Sequence, residues 1–256
     1  MLKKRLIAVV TIRNDWVVQS FGYKRYLPIG RPEVIIENLD RWGADEILLQ
    51  CIDRNLGVSL GPDFSLLQRI SNIRLSTPLI YAGGIRNAED AVKAVNLGAE
   101  RVMVDALLWD SPKSVKNLSY QLGSQAVIAN LPLRVESEML FWKNYRNKNE
   151  IPLKKTVFRR IPLEHISELM LTDFLNEGTH YSFDPKVAKL FPIKDKPLIL
   201  FGGISEPKQC RELFNLDNIV ALSVGNFLNY KEHAVQMFKQ NLVDAPTRAA
   251  HYQIRL

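Results

Sequence analysis

The sequence predicts an α/β fold, a (β/α)8 TIM barrel made of two similar (β/α)4 halves. Three observations carry this. Eight short apolar runs lack clean two-residue alternation, as expected of strands covered on both faces. Helical patterns lie between them, in the order and length of a barrel of about 250 residues. The third is an internal repeat. Pro78-Leu-Ile-Tyr-Ala-Gly-Gly-Ile-Arg86 returns as Pro197-Leu-Ile-Leu-Phe-Gly-Gly-Ile-Ser205, 119 residues later. Glu46 falls against Glu168, 122 apart, and Thr11 against Pro132, 121 apart. A doubly wound open sheet has a similar element order, but a duplicated four-strand half favours closure. The 256 residues read as one domain, with halves near 1–122 and 123–256.

The elements follow in order. Arg5 to Val10 is the first strand, and Thr11 closes it. Residues 12–32 are too long for an ordinary βα connection and carry Trp16, Phe21, Tyr23 and Tyr26, which suggests either a lid or an ordered surface loop without a role. A helix over Pro32–Trp42 presents Val34, Ile35, Leu39 and Trp42 on one face. Strand two is Glu46–Cys51, followed by the loop at residues 52–57. Helices over Phe64–Ile73 and Ala88–Leu97 flank strand three, Leu79–Tyr81. Strand four, Arg101–Val104, ends at Asp105, and strand five is Ala126–Asn130. Residues 134–149, with Phe141, Trp142 and Tyr145, read as a hairpin-like excursion. Strands six, seven and eight are Glu168–Thr172, Leu198–Phe201 and Ile219–Val224.

Composition narrows the function. Apolar content of 46% is that of an ordinary globular chain. Cys51 and Cys210 have no metal spacing and fit a reducing cytoplasm. His165, His180, His233 and His251 form no zinc motif. No apolar run approaches the roughly 18 residues of a membrane span. The net charge of +7 favours anionic ligands, an acidic partner surface or simply a solvated basic exterior. No nucleic-acid motif, metal site or cofactor motif accompanies it.

In a barrel of this kind function sits at the carboxyl ends of the strands, and phosphate sites lie after strands seven and eight. Glycine turns there let backbone amides face an anion. Gly178-Thr179, Gly202-Gly203 and Gly225-Asn226 could converge on one phosphate in this way. The first half offers Gly83-Gly84, but the Asp105 carboxylate beside them would repel a phosphate.

Several segments together carry a family resemblance over nearly the whole chain. They are Met1-Leu-Lys-Lys-Arg-Leu-Ile-Ala8, Gly43-Ala-Asp-Glu46, Gly83-Gly-Ile85, Gly98-Ala-Glu-Arg101, Gly123-Ser-Gln-Ala-Val127 and Gly202-Gly203. They resemble the HisF family, the cyclase subunits of imidazole glycerol phosphate synthase. The resemblance implies a HisH-like glutaminase docked beneath the barrel and ammonia passing through it to a phosphorylated substrate above. It implies an entry gate of four charges, here Arg5, Glu46, Arg101 and Glu168, and a glutaminase contact at Glu100. A buried ion-pair ring that merely closes the barrel floor is the plainer reading of those four charges.

At the top the sequence departs from the family. The two family aspartates fall on Thr11 and Pro132, and a first-loop lysine falls on Gln19. A positioned acid or base contributes roughly 10²–10⁴-fold to rate, so cyclase turnover should be lost unless other groups substitute. Asp53, Asp173 and Glu177 lie near the rim and could do so; they could equally cap loops. A subset of HisF-like proteins, the glycosyl-amidation-associated WbuZ type of surface-polysaccharide gene clusters, resembles this combination. It implies a HisH-like glutaminase and a sugar amidotransferase as partners in lipopolysaccharide or related synthesis. Two readings stand beside it. One is a lyase of histidine biosynthesis with replaced catalytic groups; the other is a phosphosugar-binding barrel without a protein partner.

Overall fold

The computed structural model describes residues 3–54, 60–242 and 246–249. The end of the loop after strand two (residues 55–57) and His251 lie outside the described residues. The elements run β1 (Arg5–Arg13), β2 (Trp16–Phe21), β3 (Arg25–Gly30), α1 (Pro32–Arg41), β4 (Glu46–Cys51), α2 (Phe64–Ser71), β5 (Leu79–Ala82), α3 (Ala88–Asn96) and β6 (Arg101–Val104). Next come α4 (Ala106–Asp110), α5 (Pro112–Leu122), β7 (Val127–Glu136), β8 (Met139–Lys143), β9 (Glu150–Pro152) and β10 (Glu168–Asp173). The chain then forms α6 (Lys186–Lys189), β11 (Leu198–Phe201), α7 (Pro207–Phe214), β12 (Ile219–Val224) and α8 (Ala234–Gln240).

Eight parallel strands close on themselves in the order β1-β4-β5-β6-β7-β10-β11-β12, and β12 pairs back to β1. Closure confirms the barrel and rules out the open sheet. The helices start where local chemistry allows. Pro32, Pro112 and Pro207 sit in first turns, where a missing N–H costs nothing. Asp63 and Asn87 cap α2 and α3 by accepting from Leu66 N at 3.0 Å and Asp90 N at 2.8 Å.

Of the two excursions, the first differs from the sequence expectation and the second agrees with it. Residues 12–32 are not an irregular loop. Strand β1 runs on to Arg13, turns at Asn14-Asp15, and pairs with β2, which pairs with β3. Both turn residues have positive φ, 50° and 63°, as a two-residue hairpin requires. The fifth barrel strand likewise extends past Asn130 to Glu136, turns at Ser137-Glu138 and continues into β8 and β9. Pro132 is tolerated inside β7 because β6 pairing stops at Ala129, which leaves one side of the strand free of a ladder partner.

Beneath the barrel, Lys239 of α8 is 2% exposed and pairs with Asp45, 4% exposed, at 2.7 Å. Lys239 also donates to the Gly43 carbonyl at 2.7 Å, and Asp45 accepts from Leu6 N at 2.8 Å. This cluster ties the last helix to the start of β1 and the entry to β4.

Candidate functional site

The barrel interior is written in the period-two register of its strands. Inward positions read Arg5, Ile7, Val9, Thr11 on β1; Glu46, Leu48, Gln50 on β4; Arg101, Met103, Asp105 on and just past β6; Glu168, Met170, Thr172 on β10. Each column passes from charge at the floor, through apolar side chains, to a polar group at the mouth.

The four floor residues meet. Arg5 contacts Glu46 at 3.0 Å and Glu168 at 2.6 Å; Arg101 contacts Glu46 at 3.4 Å and Glu168 at 2.8 Å. The last of these is an ion contact without hydrogen-bond geometry. Arg101 also donates to Ser167 Oγ at 2.8 Å and to the Gln125 carbonyl at 3.1 Å. Burial raises the Glu46 pKa, against the pull of Arg5 and Arg101. Glu100, exposed on the same end, accepts from Leu79 N at 2.5 Å. Above the ring, Ile7, Leu48, Met103, Ile128, Met170 and Ile199 form an apolar layer, all at most 3% exposed.

At the mouth, a cavity of about 390 Å³ opens over the first half of the barrel. Tyr23, Tyr26 and Tyr145 form its aromatic wall, with Tyr23 and Tyr145 edge to face at 5.6 Å. This contact joins the two excursions across the opening. Arg54, Arg146 and Lys148 line its basic side, Gly83 and Gly84 its back, and Gln50, Asp105 and Asn130 its polar floor. Gly84, at φ 70°, is required: a Cβ there would lie 2.3 Å from the Gly61 carbonyl oxygen. Cys51 also faces the cavity, but burial pushes its thiol up to about 12, so it is no nucleophile near neutrality.

The second-half trio is placed differently. None of Gly178, Thr179, Gly202, Gly203, Gly225 and Asn226 lines this cavity. The β2–β3 hairpin packs onto Gly178 and Asn226. Asn226 accepts from Ser20 N at 3.2 Å and donates to Ser20 O at 2.7 Å. A Cβ on Gly178 would fall 2.0 Å from that same Ser20 oxygen. The Gly203 carbonyl accepts from Ser182 N, Phe183 N and Gln209 Nε2.

The positions of the family acids hold Thr11, beside Gln50 in register, and Pro132, beside Thr172. The rim carboxylates are engaged in loop structure. Asp53 accepts from Asn14 N at 2.6 Å. Asp173 accepts from Asn176 Nδ2 at 2.7 Å and Asp184 N at 2.9 Å. Glu177 accepts from Ser20 Oγ at 2.9 Å and Tyr23 N at 3.2 Å. Burial raises the pKa of both Asp173 and Glu177.

Asp105 is different, and the sequence reading gave it only a repulsive role. Burial raises its carboxyl to about 7, with a hydrogen bond from Asn130 Nδ2, at 3.2 Å, pulling the other way. Asn130 is held in turn by Thr172 Oγ1 at 2.7 Å. Asn130, Thr172 and Gln50 were missed as site residues; their signal is a polar side chain at the inward end of an otherwise apolar strand.

A raised carboxyl makes a checkable demand on stability. Asp105 favours its neutral form in the folded chain, so its contribution is complete below the unfolded pKa near 4 and is lost as pH rises toward 7. Asp105→Asn should therefore stabilise the chain at pH 8. The gain should be about 1–2 kcal/mol, discounted because the cavity admits solvent, and should vanish below about pH 4 in urea melts.

Among the described residues no group of three His, Cys, Asp or Glu side chains could hold a metal ion, and no helix is long and apolar enough to cross a membrane. Comparison with known proteins agrees with the barrel. Residues 72–234, well over half the chain, match the family described as histidine biosynthesis protein. A Vibrio vulnificus protein provisionally named as subunit hisF2 of imidazole glycerol phosphate synthase is 27% identical over 96% of this chain and 90% of its own length. Imidazole glycerol phosphate synthase subunit HisF of Thermococcus gammatolerans is 27% identical over 95% and 96%. The subunit HisF of Staphylococcus saprophyticus is 26% identical over 94% and 97%. The closed barrel and this match together establish that the chain belongs to the histidine biosynthesis protein family, as a HisF-like barrel.

Proposed function

We propose that this barrel docks a HisH-like glutaminase beneath its floor and conducts ammonia to its mouth for a sugar amidotransferase of surface-sugar synthesis. The observation that supports it is the ion-pair ring of Arg5, Glu46, Arg101 and Glu168 set directly under an apolar layer. Buried ion pairs add little stability compared with apolar packing of the same volume, so closing the floor does not by itself account for the ring. An apolar layer passes a small neutral molecule far more readily than a charged one, because a bare charge is costly to desolvate. Ammonia meets that condition and ammonium does not. Thr11 and Pro132 at the vacated acid positions argue against the family's own cyclase chemistry here. The second-half glycines remain a proposed phosphate seat.

Gel filtration of the chain with a HisH-like glutaminase tests the docking. A complex at micromolar concentration is expected, and separate elution of the two would refute it. The relatives' names favour a second reading, a cyclase subunit of histidine synthesis. Formation of imidazole glycerol phosphate from the ribulosyl precursor and free ammonia would select that reading over the first.

A further inference from the structure

The positive charge of the chain is concentrated on one flank of the barrel. Residues 154–166 carry four Lys or Arg and one Glu, and residues 186–196 carry four Lys and one Asp. Together they hold a net +6, against +7 for the whole chain, so the remainder is nearly balanced. The two stretches lie side by side. Each comes down the outside of the barrel, the first from β9 to β10 and the second from β10 to β11. Phe158 of the first packs edge to face on Phe191 of the second at 5.6 Å, and Lys196 donates to the Ile166 carbonyl at 2.9 Å.

Local chemistry keeps this cover short and its cations outside. Helices α1, α2, α3, α5 and α7 have 8–11 residues; here there are only a 3-10 helix at Lys155–Arg160 and the four-residue α6. Pro162 and Pro192 stop both, because the residue before a proline is pushed out of the helical region and the proline has no N–H to donate. The apolar side chains turn inward: Phe158, Ile161, Ile166, Val187, Phe191 and Ile193 are all buried. Lys154, Lys155, Arg159, Arg160, Lys189 and Lys194 are exposed. Lys186 is paired with Glu138, but among the described residues none of those six forms an ion pair with a carboxylate. Lys194 donates to the Lys189 carbonyl at 3.0 Å, which leaves its charge uncancelled.

A wall of this kind can meet a protein, a nucleic acid or an anionic bilayer. Protein interfaces centre on aromatic or aliphatic anchors, and neither stretch exposes a large apolar side chain. Single-stranded nucleic acid stacks its bases on open aromatic rings, but Phe158 and Phe191 are buried against each other. An anionic bilayer asks only for clustered positive charge, about four to eight Lys or Arg. The six exposed cations supply it. We propose that this flank adsorbs the barrel on an anionic lipid bilayer through Lys154, Lys155, Arg159, Arg160, Lys189 and Lys194. With no amphipathic helix in the wall, attachment is by charge alone and nothing inserts. Contact along the flank leaves the floor ring and the mouth cavity clear, so adsorption holds whether or not a glutaminase docks.

Sedimentation with vesicles of phosphatidylglycerol and phosphatidylcholine in equal parts, at about 0.1 M salt, is the test. The unmodified chain should pellet with them. It should stay in solution with vesicles of phosphatidylcholine alone, and at about 0.5 M salt, where screening cuts off surface charge within a few ångströms. Lys154→Gln, Lys155→Gln, Arg159→Gln and Arg160→Gln together should weaken binding about tenfold or more. Arg41→Gln, Lys93→Gln, Lys208→Gln and Lys231→Gln remove the same charge from exposed positions elsewhere and should change it less than about twofold. Equal losses in the two variants would mean that only net charge matters and would overturn the proposal. No binding of the unmodified chain to the anionic vesicles, or equal binding to both kinds, would overturn it without any variant. Tighter binding to polyuridylate or polyglutamate than to the anionic vesicles, at equal charge concentration, would hand the wall to nucleic acid or to an acidic protein instead.

Discussion

Lys239→Met will lower the folding free energy by about 3–5 kcal/mol, the range for removing one partner of a fully buried ion pair. The side chain of Lys239 is 2% exposed and that of Asp45 4%, so no water replaces the lost ammonium. Among the described residues Asp45 then keeps only the Leu6 N–H, and the Gly43 carbonyl loses the Lys239 donor. A matched apolar pair, Lys239→Met with Asp45→Leu, should recover part of the loss and not all of it. The carboxylate goes, but the Leu6 amide is then left without its acceptor. Urea denaturation gives both values from the midpoint and slope. A single-variant loss under about 1 kcal/mol would show that water reaches the pair.

Arg5→Ala comes next in size. Arg5 contacts both Glu46 and Glu168, so its removal leaves two carboxylates facing each other with Arg101 alone between them. The expected loss is about 2–4 kcal/mol, less than for a sealed pair because the ring side chains are 8–14% exposed. The loss should shrink in acid. Burial already raises Glu46, and deleting the largest opposing charge raises it further, so the variant gains relative stability as pH falls through that pKa. Melts at neutral and mildly acid pH measure the difference. Equal losses at both would mean that the carboxylates had found other partners.

The barrel was readable because its strands are buried on both faces. Strand boundaries at Glu46–Cys51, Arg101–Val104, Leu198–Phe201 and Ile219–Val224 coincide with the apolar runs. The excursion at residues 134–149 was readable as a hairpin, whereas the one at residues 12–32 was not, since Asn14-Asp15 takes up positive φ without glycine. The floor ring was visible as a charge opening each of four apolar strands. The mouth was harder. Asp105 in the sequence is only a negative charge at the end of a strand; enclosure by the folded chain raises its carboxyl to about 7. The second-half glycines looked like the better phosphate seat, and nothing in the chain's order announced that Ser20 would pack on Gly178 and Asn226.

The central claim is that the floor of this barrel receives nitrogen from a glutaminase. Titrating the chain into a HisH-like glutaminase and following glutamine hydrolysis tests it most directly. A saturable rise in rate, half complete at micromolar concentration or below, is predicted. A rate that stays flat at every concentration of the barrel would contradict it.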